Sequence, residues 1–394
     1  MKPIIQITRV IVGLLFIFSG LVKANDPHGL SYKMQEFFEI WGWSQFNSLT
    51  LISSVLMNAF EIIAGFALLL GWRIRLFIWL LLLLILFFTF LTGYTYATGK
   101  PANCGCFGDC LPISSKISFL KDVALTILIG FLFWQHKKIR PLFPFRVNTI
   151  SMLAVVVFSF AFQWYVLAYL PAVDCLPYKK GNNIREKMKM PADAVPDSTV
   201  ITFVYEKGGS PVEFTADKFP ADFNSDTYKF IRRYDKLIRK GRNTEPPIRG
   251  FALSGITDTD STQIVLGQPF AILIFVENFS VPMDKWKKSF EELYTAAGAK
   301  NIHSYLITSQ VEEAKKHISG TGFAGIPVFK CDFTAIRTAA RVNPTLYLLQ
   351  KGRILSKWSY KESGKAISEI KMLPVQKSLS PEINILPKDS TGNH

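Results

Sequence analysis

Five apolar runs within the first 170 residues constrain this chain more than any other feature. They cover residues 4–22, 49–70, 74–92, 117–134 and 147–170. Each falls in the roughly 17–25 residue range that lets a helix cross a bilayer. The chain has 394 residues, enough for two or three domains, and is 49% hydrophobic. That apolar character is packed into this first part, and the remainder has ordinary globular composition. The first run has a second interpretation: Lys2 and Arg9 precede it and Val22-Lys23-Ala24 follows, which is the layout of a signal peptide. Its length and the charge pattern favour a retained helix.

Positive charge sets the expected orientation. Arg73 and Arg75 lie between runs two and three, and His136, Lys137, Lys138 and Arg140 between runs four and five. Both connections are expected in the cytoplasm, and Lys2 and Arg9 put the N-terminus there too. Residues 23–48, the connection between runs three and four, and everything after residue 170 then lie outside. The expectation is a multi-pass protein of the cytoplasmic (inner) membrane with an extracytoplasmic C-terminal domain. Residues 23–48 hold Tyr32, Phe37, Phe38, Trp41, Trp43 and Phe46, and read as an amphipathic segment at the lipid headgroups, with substrate binding as the less favoured alternative. The net charge of +15 is that of basic membrane-flanking loops with a mildly basic soluble domain. No basic helix interleaved with aromatics and no nucleic-acid motif occurs, so nucleic acid is not an expected partner. Membrane lipid is.

Three of the five cysteines, Cys104, Cys106 and Cys110, fall within the connection between runs three and four, and Cys175 follows run five by a few residues. All four are expected at the outer surface, where disulfides form. The cluster supports three interpretations. Its thiols form or exchange disulfides, with Cys175 as a redox partner; or one permanent bridge pins the loop; or three thiolates hold a metal. The last is disfavoured, because no histidine lies within twenty residues and zinc sites usually pair two short ligand motifs. No metal is therefore assigned. A Cys104–Cys106 bridge closes a very small ring, and Cys104–Cys110 or Cys106–Cys110 is less strained; spacing does not choose the pairing. Asp109 beside Cys110 disfavours its thiolate, and Lys100 and Lys116 offset that. Gly105 and Gly108 serve backbone turns.

Charged residues inside the apolar runs are costly and often functional. Glu61 sits mid-run and needs a cationic partner in the bundle or a role in moving protons. Lys23 ends run one, and Lys121 and Asp122 begin run four. Both lysines are expected to snorkel to the interface.

Beyond residue 198 the pattern is of strands and helices. Residues 201–205 and 212–214 flank Lys207-Gly208-Gly209-Ser210 as a hairpin, and residues 228–239 suit a helix. Residues 270–276 form a short apolar buried strand, followed by a helix over 283–297 with Trp286, Phe290, Leu293 and Tyr294 on one face. Strands over 302–307 and 326–329, with a helix over 311–317, precede a hairpin of 345–349 with 354–358. Such alternation predicts an α/β sandwich. The tail is polar and is expected to be disordered.

The membrane part resembles the DoxX and MauE group. The resemblance rests on Arg9, Gly13 and Phe18-Ser19-Gly20-Leu21-Val22-Lys23, on Glu61, Gly65 and Leu69-Leu70-Gly71, and most specifically on Cys104-Gly105-Cys106-Phe107-Gly108. It implies a four-helix unit with a redox association; MauE is linked to maturation of a disulfide-rich periplasmic enzyme subunit. Residues 248–370 resemble a thioredoxin-like domain through Arg341-Val342-Asn343-Pro344-Thr345-Leu346 with Leu348 and Gly352. The resemblance implies that Pro344 is a cis-proline. Where thioredoxins carry Cys-x-Pro-Cys, this chain has Ser280-Val281-Pro282-Met283, so that site lacks the attacking and resolving thiols that exchange requires. Cys331 is a lone thiol, expected to be buried as an apolar residue.

The expected organisation is a DoxX/MauE-like bundle over 1–140, a fifth transmembrane helix over 141–175, a connector with a β-hairpin over 176–247, a thioredoxin-like α/β domain over 248–375 and a disordered tail over 376–394. The expected function is thiol–disulfide exchange or disulfide maturation of extracytoplasmic proteins, with Cys104, Cys106 and Cys110 as catalytic thiols. No motif names a cofactor; a membrane quinone is the candidate electron carrier. The alternative is a non-catalytic, membrane-anchored docking or assembly protein, whose groove at Pro344, Ser280 and Pro282 binds an extended segment of an envelope partner.

Overall fold

The computed structural model describes residues 2–101, 110, 113–195, 197–239, 241, 244–255 and 259–377. Cys104, Gly105, Cys106, Gly108 and Asp109, together with the end of the tail from residue 378, lie outside the described residues.

The chain begins with α1 (Lys2–Ala24), α2 (Pro27–Ile40), α3 (Thr50–Leu70), α4 (Ile74–Thr98), α5 (Ser115–Gln135) and α6 (Phe145–Ala168). All but α2 are long and apolar enough to cross a membrane. Large apolar side chains such as Ile7, Leu83 and Ile150 point outward, while Val12, Leu68, Leu81 and Ile129 fill the interior. Lipid can solvate an outward-facing apolar side chain, so this inversion of the usual pattern is stable only in a bilayer. α1 and α3 meet at Gly13, Gly20 and Gly65. A Cβ on Gly65 would come within 2.8 Å of the Gly13 carbonyl oxygen. Small residues let the backbones approach where lipid offers no hydrophobic drive for association.

α3 stops at Gly71, which adopts a left-handed conformation (φ 69°). The last carbonyls of a helix lack intrahelical donors, and here Arg9 supplies them. Its Nε donates to Leu68 O at 2.7 Å and another nitrogen to Leu69 O, while a third reaches Arg140 O at 3.1 Å. Arg9 is 4% exposed, so the residue expected to mark sidedness also ties three segments together at one end of the bundle.

After α6 come α7 (Ile184–Lys187) and a three-stranded antiparallel sheet of β1 (Ser198–Lys207), β2 (Ser210–Thr215) and β3 (Tyr228–Arg239), in the order β2-β1-β3. The β1–β2 turn uses Gly208 and Gly209, both at positive φ, as a tight hairpin requires. The helix expected over 228–239 is instead β3. Tyr228, Ile231, Tyr234 and Ile238 fall at helical intervals, but β3 pairs with β1 over nearly its whole length. The aromatic and β-branched content suits that pairing.

The remaining elements are α8 (Thr262–Gly267), β4 (Ala271–Phe275), α9 (Lys287–Gly298), β5 (His303–Thr308), α10 (Val311–Ile318), β6 (Val328–Lys330), α11 (Phe333–Ala339), β7 (Thr345–Gln350), β8 (Arg353–Ser359) and α12 (Ser363–Met372). The sheet order is β6-β5-β4-β7-β8; β6, β5 and β4 pair in parallel, and β7 runs antiparallel to both of its neighbours, β4 and β8. β4 is buried on both faces: Ala271, Leu273 and Phe275 enter one core, and Ile272 and Ile274 the other. The segment expected as a connector contributes to the first core, since Tyr178 and Ile184 are buried there and the Gly181 N–H donates to Ile354 O. The sheet therefore recruits residues before β1 as well as after it.

Candidate functional site

At the end of the bundle opposite Arg9, α2 lies between the long helices and the five-stranded sheet. Asp26 accepts at its N-terminus from the Gly29 N–H, and Pro27 occupies the first turn. Two arginines of the sheet unit grip this helix. Arg341 Nε donates to Asp26 Oδ2 at 2.9 Å. Arg337 donates to the Gln35 side-chain oxygen and lies 3.5 Å from the centre of the Tyr32 ring. Nearby, Lys357 pairs with Asp174 at 3.0 Å, the Ser359 hydroxyl donates to Ala168 O, and Asn25 exchanges two hydrogen bonds with the Val173 backbone. Burial pulls the Lys357 ammonium below its ordinary pKa, and Asp174 opposes that shift. Burial pushes the Glu277 carboxyl up, against the pull of Arg337 and Arg341.

Cys110 and Cys175 form a disulfide at this same end, with Cα atoms 4.8 Å apart. The bridge joins the α4–α5 connection to the segment leaving α6, and both residues are partly exposed. Spacing had left the pairing open, with Cys175 offered as a redox partner; the α6 exit folds back to the loop, so the partner of Cys110 comes from 65 residues away. Cys331 is buried, and burial pushes its thiol up to about 11, which suits the apolar role expected for it.

Inside the bundle Lys23 forms an ion pair with Glu61; the two are 3% and 1% exposed. The expected snorkelling of Lys23 does not occur, because Glu61 on the neighbouring α3 holds it inward. Asp122 accepts from the Thr92 hydroxyl at 3.0 Å and pairs with Lys121 at 2.6 Å. Lys23, Thr92, Lys121 and Asp122 line one cleft beneath α2, of about 150 Å³. The structure thus brings together Lys23 and Asp122, which sequence named separately.

Ser280 and the residue before Pro344 are linked through Asn278. Asn343 donates to the Asn278 carbonyl oxygen and side-chain oxygen, Ser280 N–H donates to that same side-chain oxygen, and the Asn343–Pro344 peptide is cis, as expected. Ser280 and Pro282 are exposed, but Pro344 is buried and its carbonyl accepts from the Tyr360 N–H. Sequence named Arg341 only as part of the motif around Pro344 and did not single out Asp26 or Asp174; the partners of these charges are remote in the chain.

The fold and these sites define a multi-pass membrane protein, contacting lipid through its helices, with a mixed α/β unit attached. Residues 1–135 match the family model described as "Methylamine utilisation protein MauE", and residues 192–240 match one described as "Domain of unknown function (DUF8463)". The second match spans all three strands of the β2-β1-β3 sheet. No curated protein and no solved structure matches the chain.

Proposed function

We propose that this chain is a membrane-bound thiol–disulfide exchange protein serving disulfide maturation outside the cytoplasm. The observation that carries the proposal is the partly exposed Cys110–Cys175 bridge at the bundle end, with Cys104 and Cys106 only six and four residues from Cys110 in sequence. Thiolate attack by Cys106 on Cys110 Sγ would form a Cys106–Cys110 bridge and release Cys175 as a thiolate, which takes up a proton. That step moves a disulfide without net oxidation. Net oxidation of a partner's dithiol accompanies reduction of one disulfide of this chain. Similarity of the first 135 residues to a family associated with methylamine utilisation supports a redox-related setting. Arg73, Arg75, Lys137, Lys138 and Arg140 cluster at the end away from the disulfide, which supports a cytoplasmic N-terminus and an outward-facing sheet unit.

We read the five-stranded unit as thioredoxin-like, supported by its strand order and by the cis peptide before Pro344. With Ser280 and Met283 in place of thiols, it serves to dock and orient rather than to exchange. The alternative, a docking or assembly protein with the bridge as a fixed staple, is favoured by the grip of Arg341 and Arg337 on α2. Thiol trapping in intact cells separates the two. Exchange requires that Cys106→Ser abolish function at normal abundance and that Cys110→Ser or Cys104→Ser trap a mixed disulfide with another protein. If activity and abundance fall only together, the bridge is a staple.

A further inference from the structure

We propose that the cleft beneath α2 binds the ring headgroup of a neutral, lipid-soluble carbonyl compound of the quinone type. This goes beyond the thiol chemistry above and does not depend on it.

Size comes first. The cleft measures about 150 Å³, and an apolar cavity of about 150 Å³ accepts one benzene-sized ring. Its walls suit a flat, polarizable guest: Met34 and Phe37 from α2, Met57 from α3, and Phe87 and Leu91 from α4. Apart from α2, its lining comes from α1, α3, α4 and α5, all long and apolar enough to cross a membrane, and the lining residue Phe87 is exposed on the outer face of α4, which puts the cleft within reach of a membrane-dissolved ligand.

Charge then selects among lipophilic guests. Each lysine lining the cleft has a carboxylate beside it: Lys23 with Glu61, Lys33 with Glu36, and Lys121 with Asp122. A fatty acid or anionic phospholipid headgroup meets no uncompensated cation there, and a cationic guest no uncompensated carboxylate. Hydrogen-bonding capacity remains on both sides. An ammonium has three N–H groups, and among the described residues Glu61 is the hydrogen-bonding partner of Lys23, with the Phe88 ring 4.8 Å away. The buried Glu61 Oε2 and Asp122 Oδ1 accept no hydrogen bond among the described residues. A neutral ring whose oxygen accepts as a carbonyl, and donates once reduced to a hydroxyl, meets both without disturbing the charge balance. The cost of holding an ion pair 3% and 1% exposed within the bundle is then offset by a ligand that uses it.

The test uses the full-length protein in detergent, titrated with a decyl-substituted benzoquinone and followed by tryptophan fluorescence, since Trp41 lines the cleft. Saturable quenching is expected, with part of the signal lost in Trp41→Phe. Filling the cleft with Ser53→Phe is expected to weaken binding at least tenfold. The neutral pair Lys23→Met with Glu61→Leu, which leaves no orphan charge, is expected to do the same. Oleate and phosphatidylglycerol are expected not to displace the quinone. Non-saturable quenching, quenching unchanged by Ser53→Phe, or displacement by oleate at lower concentration than the quinone would each overturn the assignment. Thiol trapping is unaffected by these outcomes, so failure here is distinguishable from failure of the exchange proposal.

Discussion

Arg341 reaches across 2.9 Å to Asp26, a residue 315 positions earlier in the chain. The pair fastens the segment before Pro344 to the N-terminus of α2, and Arg341 is only 4% exposed. Removing one partner of a buried pair typically costs about 3–5 kcal/mol, much of it from the charge left behind. Arg341→Met and Asp26→Asn are each expected to lower the thermal midpoint of the purified protein and to speed proteolysis between α6 and β1. The double variant is expected to be less damaged than the sum of the two. Simple additivity would show that the pair does not couple the two units.

His28 supplies a pH dependence at the same junction. Burial is the main cause that lowers its pKa to about 4 from an ordinary value of 6.5, with Arg341 and Arg337 assisting and Asp26 opposing. Between these values the unfolded chain binds the proton and the folded chain does not, so stability rises with pH across this window and is lost as pH falls from 6.5 towards 4. Thermal unfolding should show a drop over that range that His28→Asn reduces. An equal drop in the variant would assign the effect to other groups.

The disulfide predicts a specific peptide map. Digestion without reductant is expected to yield a linked peptide containing Cys110 and Cys175. Cys175→Ser is expected to destabilise the bundle end by no more than about 2–5 kcal/mol, the usual cost of losing a native bridge in a small secreted domain. Recovery of Cys175 as a free thiol throughout a non-reduced preparation would contradict the pairing.

Lys23 and Glu61 predict an asymmetry between single and double variants. Glu61→Leu strands a cation within the bundle, and Lys23→Met strands a carboxylate. Each is expected to reduce abundance sharply, and the double variant to recover most of it, because apolar replacement of a whole buried pair is often neutral. A double variant as poor as the singles would mean that the pair is needed for more than charge balance.

Cys331 is expected to resist thiol reagents at pH 8 while the protein is folded and to react on denaturation. Its raised pKa keeps the thiolate scarce, and its side chain is buried. Rapid labelling of the folded protein would show that this core opens readily.

Local sequence determined the apolar helices, because a span across lipid depends on a continuous run of residues and little else. It also determined β4 and the β7–β8 hairpin, whose apolar runs and turn residues are near neighbours in the chain, and it picked out Pro344 through a short motif. Tertiary structure alone decided the rest. The Tyr228–Arg239 segment has helical spacing, but its fate depended on β1 offering a partner for its backbone hydrogen bonds. Lys23 had the length to reach the interface, but Glu61 on a different helix turned it inward. Cys110 had nearer cysteines in sequence and took Cys175, because α5 and α6 return the chain to the end of the bundle from which it left. Pairing across such distances is set by how elements pack, and no window of sequence contains both partners.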